Sequence, residues 1–326
     1  MLTRHVDLAS SSSYRSDSAM TNDELVEKIN KLKRDRNAVI LAHSYQLGEV
    51  QDVADFVGDS LGLSREATQT DAKIIVFAGV NFMAETAAIL NPSKTVLIPD
   101  INAGCSLSDT VTATDVQRWR EDHPDGLVVS YVNTTAEVKA LSDICVTSAN
   151  AVKVVKSLDP NKDILFLPDM FLGEYVKEQT GRQMDIWMGE CHVHAGIGEK
   201  ELKERIDAFP NAEFLIHPEC GCGSSCLYLK PDAKVFSTEG MVSYAQNSPT
   251  KEFVVATEVG IIHRLNKKTQ GKRFIPVKDT AVCEFMKMTT LEKLLQSLEN
   301  NTYVVEIDSA IASKARQAIT AMLAVA

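Results

Sequence analysis

Residues 146–169 read VTSANAVKVVKSLDPNKDILFLPD, and two other parts of the chain resemble them. The match with VFSTEGMVSYAQNSPTKEFVVATE at 235–258 needs no gap and places Pro160 on Pro249. The match with FAGVNFMAETAAILNPSKTVLIPD at 77–100 needs one single-residue slip. Each block reads as the end of a strand, a turn, a helix, a loop that contains proline and a second strand. Self-similarity of this kind indicates that the chain is built from three repeats.

A short run typical of a β-strand precedes each block: NAVILAHSYQ, GLVVSYVNTT and AEFLIHPECG. Short apolar runs that alternate with helical patterns indicate βαβ units around a buried parallel sheet. We therefore predict an α/β fold of three similar α/β repeats, in which parallel sheets are flanked by helices. The predicted domains are residues 21–120, 121–205 and 206–326.

The first 20 residues are polar and rich in serine, and they contain no apolar stretch of the kind found in secretion signals. We interpret residues 1–20 as a disordered N-terminal extension, with either Met1 or Met20 as the physiological start. Thr21 to Glu24 reads as a capping box, which predicts that a helix begins there.

Composition excludes some classes of function. The chain has 326 residues and a formal net charge of −10, which argues against a nucleic-acid-binding surface. An anionic small substrate stays compatible with this charge, because a pocket can be locally positive. No apolar run approaches the roughly 20 residues of a membrane-spanning helix. Seven cysteines without a secretion signal indicate a reducing, cytoplasmic setting, in which cysteines bind metals or fill cores.

Polar side chains follow the first strand of each repeat in pairs spaced i, i+2, so both members of a pair lie on one face. Ligands of α/β sheets bind beyond the carboxyl ends of the strands, and three repeats around an axis would bring the pairs into one cavity. For any single residue, a capping or core role explains the sequence equally well. The pairs are His43 and Tyr45, Tyr131 and Asn133, and His217 and Glu219, and the second strand exits add Gly79, Asn81, Ser148, Asn150, Ser237 and Thr238.

Three cysteines occur about one repeat apart. Cys105, Cys191 and Cys283 each follow the last strand-like run of a repeat. Three thiolates that converge from three repeats suit an iron–sulfur cluster with one iron left without a protein ligand. An open iron of this kind is what Lewis-acid catalysis requires.

A competing cysteine site is the local trio Cys220, Cys222 and Cys226, with His217 as a fourth ligand of a structural zinc. Its C-x-C-x3-C spacing is not a common zinc pattern, so metal binding and inert burial both stay open. Cys145 lies in the middle of a strand and reads as an inert buried thiol. His192 and His194 lie beside Cys191, where they would either tune a cluster or act as capping or surface residues.

At this point the sequence resembles the quinolinate synthase (NadA) family. The resemblance rests on ILAHSYQLGEVQDVADFVGDSLGLSREA, GVNFMAETAAILNP, VLIPDINAGCSLSD, YVNTTAEVKALSDICVTSANA, WMGECHVHAGI, HPECGC and CEFMKMTTLEKLLQSLE, which cover about residues 37 to 300. It implies three similar α/β domains with pseudo-threefold symmetry around a central active site. It also implies a [4Fe-4S] cluster held by one cysteine per domain, which maps to Cys105, Cys191 and Cys283.

The resemblance further implies a reaction, in which iminoaspartate and dihydroxyacetone phosphate condense to quinolinate with loss of phosphate and two waters. The expected partners are these small molecules, with functional coupling to an aspartate-oxidising enzyme and no nucleic acid or membrane. We expect catalytic roles for Glu219, Tyr45, His217 and His43. The family's active-site positions fall on His43, Tyr45, Ser60, Tyr131, Asn133, Ser148, His217, Glu219 and Thr238.

The sequence departs from the usual family pattern at Ser44, Asn81 and Phe171, which puts fine substrate contacts in doubt but not the reaction. The cysteine trio belongs to one branch of the family and is not expected to hold the cluster. Two other functions are compatible with parts of the same pattern. A different [4Fe-4S] hydro-lyase would act on a small hydroxy acid without a triose phosphate, and an electron carrier or zinc-stapled binding module would not be an enzyme.

Overall fold

The protein, in a computed structural model, is described over residues 20–325. The predicted disordered extension lies outside this range, apart from Met20. Within it, the chain folds into three separate four-stranded sheets in which every strand pairing is parallel. Helices flank the sheets, so the predicted α/β fold of three similar repeats is confirmed.

The first sheet and its helices precede residue 123. Its strands are β1 (Ala38–His43), β2 (Phe56–Gly58), β3 (Ile74–Ala78) and β4 (Thr95–Leu97). Its helices are α1 (Asn22–Asp35), α2 (Gly48–Val53), α3 (Ser60–Gln69), α4 (Asn81–Leu90) and α5 (Ala113–Asp122). The capping box predicted at Thr21 and Glu24 opens α1, so this prediction is confirmed.

The second sheet follows directly. Its strands are β5 (Leu127–Tyr131), β6 (Ile144–Val146), β7 (Ile164–Leu167) and β8 (Asp185–Ile186). Its helices are α6 (Ala136–Lys139), α7 (Ala151–Ser157), α8 (Met170–Thr180), α9 (His192–Ala195) and α10 (Glu199–Ala208).

The third sheet lies in the last part of the chain. Its strands are β9 (Glu213–Ile216), β10 (Lys234–Val235), β11 (Glu252–Ala256) and β12 (Arg273–Pro276). The helices of this part are α11 (Gly223–Leu229), α12 (Thr238–Asn247), α13 (Ile261–Lys268), α14 (Leu291–Asn300) and α15 (Ser309–Val325).

All three sheets have the same strand order. In each one, the first strand lies between the second and the third, and the fourth lies at the edge beside the third. The central strands are short apolar runs such as IIVFA in β3 and ILFL in β7, which are buried throughout. Burial on both faces is what the absence of polar alternation in these strands indicates.

The strand order corrects one part of the predicted repeat alignment. The blocks at 146–169 and 235–258 do correspond, because β6 and β10 are both edge strands in the same position. The block at 77–100 begins at the end of β3, which is a central strand, so it lies one βα unit too far along the chain. The true counterpart in the first repeat begins at β2. The alignment failed because successive βα units share the same pattern of apolar strand, helix and proline-containing loop.

Two helices near the end of the chain pack against earlier sheets. Helix α14 lies against α1, and α15 contacts α6 and β6. The predicted boundary residues 120 and 205 fall inside α5 and α10. The division into domains at these two residues therefore stays a prediction. Across the described range, no helix has both the length and the apolar character needed to span a membrane.

Candidate functional site

A cavity lies where the three sheets meet, with about 710 Å³ of empty space that is partly open to solvent. Residues from the carboxyl ends of the first strands β1, β5 and β9 line it. All three i, i+2 pairs face this cavity: His43 and Tyr45, Tyr131 and Asn133, and His217 and Glu219. The prediction that the pairs would converge is confirmed by this placement, whereas their roles are a separate question.

Other predicted residues line the same cavity, namely Ser60, Ser148, Thr238, Cys105, Cys191 and Cys283. Ser60 opens α3 and Thr238 opens α12, so the N-termini of two ten-residue helices reach the cavity. Partial positive charge at these termini favours bound anions.

The second-strand prediction was partly wrong, because Gly79, Asn81, Asn150 and Ser237 are not among the lining residues. Asn81 donates its side-chain amide to the Ile101 carbonyl, 3.4 Å away. Asn150 accepts from the backbone N–H of Thr147 at 2.8 Å. Ser237 is the N-cap of α12, as the capping interpretation had it, whereas Ser148 caps no helix. The misassigned strand explains Gly79 and Asn81, which follow β3 rather than β2.

Glu219 is the centre of a buried polar network. Tyr131 donates its hydroxyl to Oε1, and Nδ1 of His194 lies 3.1 Å from Oε2. Burial alone would raise the pKa of Glu219, but His217, His194 and the hydrogen bonds lower it well below its usual value. Burial, then the charge of Glu219, raises the pKa of Tyr131, which therefore stays protonated as a donor. The carboxylate is thus ionised and held in one orientation.

A second network leads from this carboxylate to Tyr45. Nε2 of His194 lies 2.8 Å from the Thr257 hydroxyl, which in turn lies 2.6 Å from the Tyr45 hydroxyl. Nδ1 of His194 lies 3.3 Å from Sγ of Cys191. Burial lowers the pKa of His194, but the charges of Cys191 and Glu219 outweigh it and raise the pKa. Burial also raises the pKa of Tyr45, so the phenol stays protonated.

Thr257 is not among the residues predicted from the sequence, and the predicted role of His194 was open. Thr257 follows β11 directly, so its signal was the same as that of the pairs: a polar residue at a strand exit. Thr257 follows the third strand of its repeat, whereas the predicted site residues follow the first strand and the assumed second strand. Glu258, the next residue, is fully buried and accepts from the backbone N–H of Cys283 at 3.1 Å.

Two histidines are neutral in the cavity. Burial is the main cause that lowers the pKa of His43 to about 3. Burial lowers the pKa of His217 to about 4. Nε2 of His217 lies 3.2 Å from the Ser148 hydroxyl, while its Nδ1 is buried without a hydrogen-bond partner among residues 20–325. Oδ1 of Asn133 is likewise buried and unpartnered within that range, so both atoms are free to bind a ligand.

Each of the three predicted ligands follows the last strand of its sheet and starts a short helical turn. The carbonyl oxygens of Cys105, Cys191 and Cys283 accept from the backbone N–H four residues later, at 3.2, 2.8 and 3.2 Å. The same local geometry therefore occurs three times around the cavity.

The donor chemistry of this set fits a metal cluster. Burial, then the neighbouring Cys191, raises the pKa of Cys105, and burial raises the pKa of Cys283 to about 11. Three thiolates that line one cavity would repel one another unless a cation compensated them, and a coordinated thiol loses its proton. A different set, Cys191, His194 and Glu219, has its ligand atoms within 4.8 Å of one another and would suit a single ion.

The trio Cys220, Cys222 and Cys226 lies apart from the cavity lining. All three side chains are buried in an apolar cluster with Phe214 and Ile216, and all three are free thiols. Burial raises the pKa of Cys226 to about 12. The environment is that of inert core cysteines. Cys145 is also fully buried in β6, where the sequence placed it.

Comparison with known proteins gives a consistent result. The model of the family described as quinolinate synthetase A protein matches residues 27–324. A quinolinate synthase of Thermus thermophilus is 63% identical over 306 residues, which are 94% of this chain and 99% of the relative. One of Pyrobaculum aerophilum is 56% identical over 302 residues, with 91% and 98% covered. One of Mycobacterium leprae is 50% identical over 310 residues, with 93% and 88% covered.

Proposed function

Because this chain belongs to the quinolinate synthetase A protein family, enzymes of NAD biosynthesis, we propose that it condenses iminoaspartate with dihydroxyacetone phosphate. The proposed products are quinolinate, phosphate and two molecules of water. The observation that supports this most is the meeting of polar side chains from all three sheets with three cysteines in one cavity. A reaction with two substrates and several proton transfers needs this number of groups around one space.

The anionic groups of the substrates would bind to neutral donors and helix N-termini. We assign the phosphate to Ser60 and Thr238, which open two helices at the cavity wall. Ser148 and Asn133 offer further hydrogen bonds, and the neutral imidazoles of His43 and His217 complete the set. Binding of this kind reconciles a chain of net charge −10 with anionic substrates.

We assign a [4Fe-4S] cluster to Cys105, Cys191 and Cys283, whose chemistry fits this group. When bound, a cluster with three protein ligands supplies an open iron that acts as a Lewis acid on a departing oxygen. Glu258 would fix the Cys283 turn in this arrangement, because its carboxylate accepts a 3.1 Å hydrogen bond from the backbone N–H of Cys283.

Proton transfers would use Tyr45 and Glu219. The phenol of Tyr45 is protonated and connected to His194 through Thr257, so it is placed to give a proton to a reacting atom. Glu219 is ionised in the cavity, and its low pKa makes it a weak base there. An anionic substrate beside Glu219 would raise that pKa toward the range in which a carboxylate accepts protons efficiently. His217 and His43 would hold substrate in place beside these two groups.

The test is an anaerobic assay of the reconstituted protein with both substrates, in which quinolinate is quantified. The proposal expects quinolinate only when iminoaspartate and dihydroxyacetone phosphate are both present. Dehydration of a small hydroxy acid without any triose phosphate would instead support the hydro-lyase function. No turnover by a protein with a full cluster would contradict both.

We also propose a cytoplasmic location and functional coupling to an aspartate-oxidising enzyme. All seven cysteines are free thiols, which suits a reducing compartment. Iminoaspartate is an imine that water hydrolyses, so an enzyme that forms it from aspartate would have to deliver it promptly. A coupled assay with such an enzyme should give more quinolinate than the same amount of iminoaspartate added at once.

A further inference from the structure

The residues that directly follow the three cavity cysteines form a hydrogen-bonded bridge. Ser106 follows Cys105, His192 follows Cys191 and Glu284 follows Cys283. The Ser106 hydroxyl lies 2.6 Å from Nδ1 of His192, and Nε2 of His192 lies 3.0 Å from Oε2 of Glu284. One imidazole thus joins the cysteine turns of all three repeats. We call these three side chains the cysteine-turn bridge.

The donors and acceptors of the bridge are mutually consistent. A carboxylate only accepts hydrogen bonds, so Nε2 of His192 must carry the hydrogen that binds Glu284. In a neutral imidazole, Nδ1 is then an acceptor, and the Ser106 hydroxyl can donate to it. The hydrogen bonds therefore run from Ser106 through His192 to Glu284, and each ring nitrogen of His192 makes one of them. The Phe285 ring, 6.1 Å from the imidazole centroid, meets it edge to face and limits its orientation.

The bridge is partly exposed to solvent, so its contribution to stability differs from that of the buried core. The His192 and Glu284 side chains are 42% and 61% exposed, so water surrounds this part of the bridge. Exposed pairs contribute little to the overall free energy of folding. However, each member of the bridge directly follows a cysteine in the sequence, and a bound cluster would require that cysteine to stay in place. Small gains in the order of these turns therefore act on the cysteines directly.

We propose that the cysteine-turn bridge positions the three cysteine turns and slows loss of the cluster assigned to them. This inference rests on the proposed cluster and adds residues that bind no iron themselves. Ser106, His192 and Glu284 are positioning residues, since they act through the cysteines. Their effect belongs to cluster retention rather than to folding of the chain.

The test measures how fast iron passes from the anaerobically reconstituted protein to a ferrous chelator. His192→Ala, Ser106→Ala and Glu284→Ala should release iron about threefold to tenfold faster than the wild type, as loss of a modest hydrogen bond predicts. Ser106→Thr and Glu284→Gln keep a hydroxyl and an acceptor oxygen, so they should restore slow release. The melting temperature of the cluster-free variants should match that of the wild type.

A control breaks another partly exposed histidine–carboxylate pair elsewhere. Nε2 of His263 lies 2.5 Å from Oδ1 of Asp52, and this pair also joins two repeats, with side chains 34% and 43% exposed. His263→Ala should leave the release rate unchanged. The double variant Ser106→Ala/His192→Ala should release iron no faster than His192→Ala, because both changes break one unit.

Three results would overturn the proposal. The iron-release rate of His192→Ala could equal that of the wild type, or His263→Ala could raise the rate as much as His192→Ala does. The increase in the double variant could also equal the product of the increases in Ser106→Ala and His192→Ala. Failure of the cofactor assignment looks different, since the wild type itself would then take up no iron and sulfide. That result would overturn the bridge together with the cluster.

Discussion

Glu219 shows how the site sets the chemistry of one residue. Three buried side chains, those of Tyr131, His194 and His217, surround it, and the hydrogen bonds from Tyr131 and His194 keep it ionised. Tyr45 has the opposite state, because burial keeps its phenol protonated. A protonated phenol and an ionised carboxylate are therefore present in one cavity before any substrate binds, and the proposed acid–base roles require an anionic substrate to raise the pKa of that carboxylate.

We expect Glu219→Gln and Tyr45→Phe to lower the rate of quinolinate formation by roughly 10²–10⁴-fold each, because each removes one of the two proposed proton-transfer groups. Iron and sulfide content should stay at the wild-type level in both variants. Tyr228→Phe, at an exposed tyrosine, is the matched control and should turn over normally. Near-normal turnover in both Glu219→Gln and Tyr45→Phe would mean that these residues only shape the cavity.

The neutral histidines make stability depend on pH in a defined direction. His43 and His217 have pKa values of about 3 and 4 in the folded protein, below the 6.5 of an unperturbed histidine. Below pH 6.5 the unfolded chain binds a proton at each histidine, while the folded chain does not. Stability should therefore fall as the pH drops from 6.5 toward 4, by about 1.4 kcal/mol per pH unit for each histidine.

Urea unfolding of the cluster-free protein at pH 7 and pH 5 measures this loss. The difference between the two pH values should shrink in His217→Gln and in His43→Gln, because each variant lacks one of the titrating groups. If both variants lose as much stability as the wild type between these pH values, the histidines are not neutral in the folded state.

At the scale of single elements, the interface between α1 and α14, called the seam below, joins helices from opposite ends of the chain. Leu294 and Leu298 of α14 are fully buried in one cluster with Leu25 and Ile29 of α1. We expect Leu294→Ala to lower the free energy of unfolding by about 2–5 kcal/mol, as removal of a buried leucine side chain does. Gln296→Ala, at an exposed position of the same helix, should change it by less than about 0.5 kcal/mol.

Calorimetric or urea unfolding of both variants checks this. A Leu294→Ala protein as stable as Gln296→Ala would mean that the seam opens freely in solution. Iron uptake by Leu294→Ala, measured below its melting temperature, should be unchanged because the helix lies outside the cavity lining.

The sequence predicted the kind of each element better than its place. Apolar runs between helical patterns indicated parallel sheets, and the Thr21 capping box located the start of α1. The pattern could not tell one βα unit from the next, because each has the same apolar strand and proline-containing loop. The pattern also could not tell which elements pack against α14 or α15. An apolar helix face indicates that the face is buried but does not identify the element that covers it.

At the scale of the whole molecule, no single sheet holds the site. The cavity takes its lining from residues as far apart as His43 and Met286 in the chain. The sequence could indicate the members one by one, through polar residues at strand exits and one cysteine per repeat. Contacts between repeats, such as those of Thr257 with Tyr45 and His194, depend on how the three units are placed, and local patterns contain no such information.

Most depends on the proposal that one cysteine from each repeat binds a [4Fe-4S] cluster in this shared cavity. The most direct measurement is the iron and sulfide content of anaerobically reconstituted single-cysteine variants, with the absorption spectrum of each. Cys222→Ala is the matched control. It removes one thiol as the other variants do, but this thiol lies outside the cavity.

We predict about four irons and four sulfides per chain in the wild type and in Cys222→Ala. Cys105→Ala, Cys191→Ala and Cys283→Ala should each lose the cluster spectrum together with quinolinate formation. A Cys191→Ala protein that keeps the full spectrum, with a Cys222→Ala protein that loses it, would contradict the account.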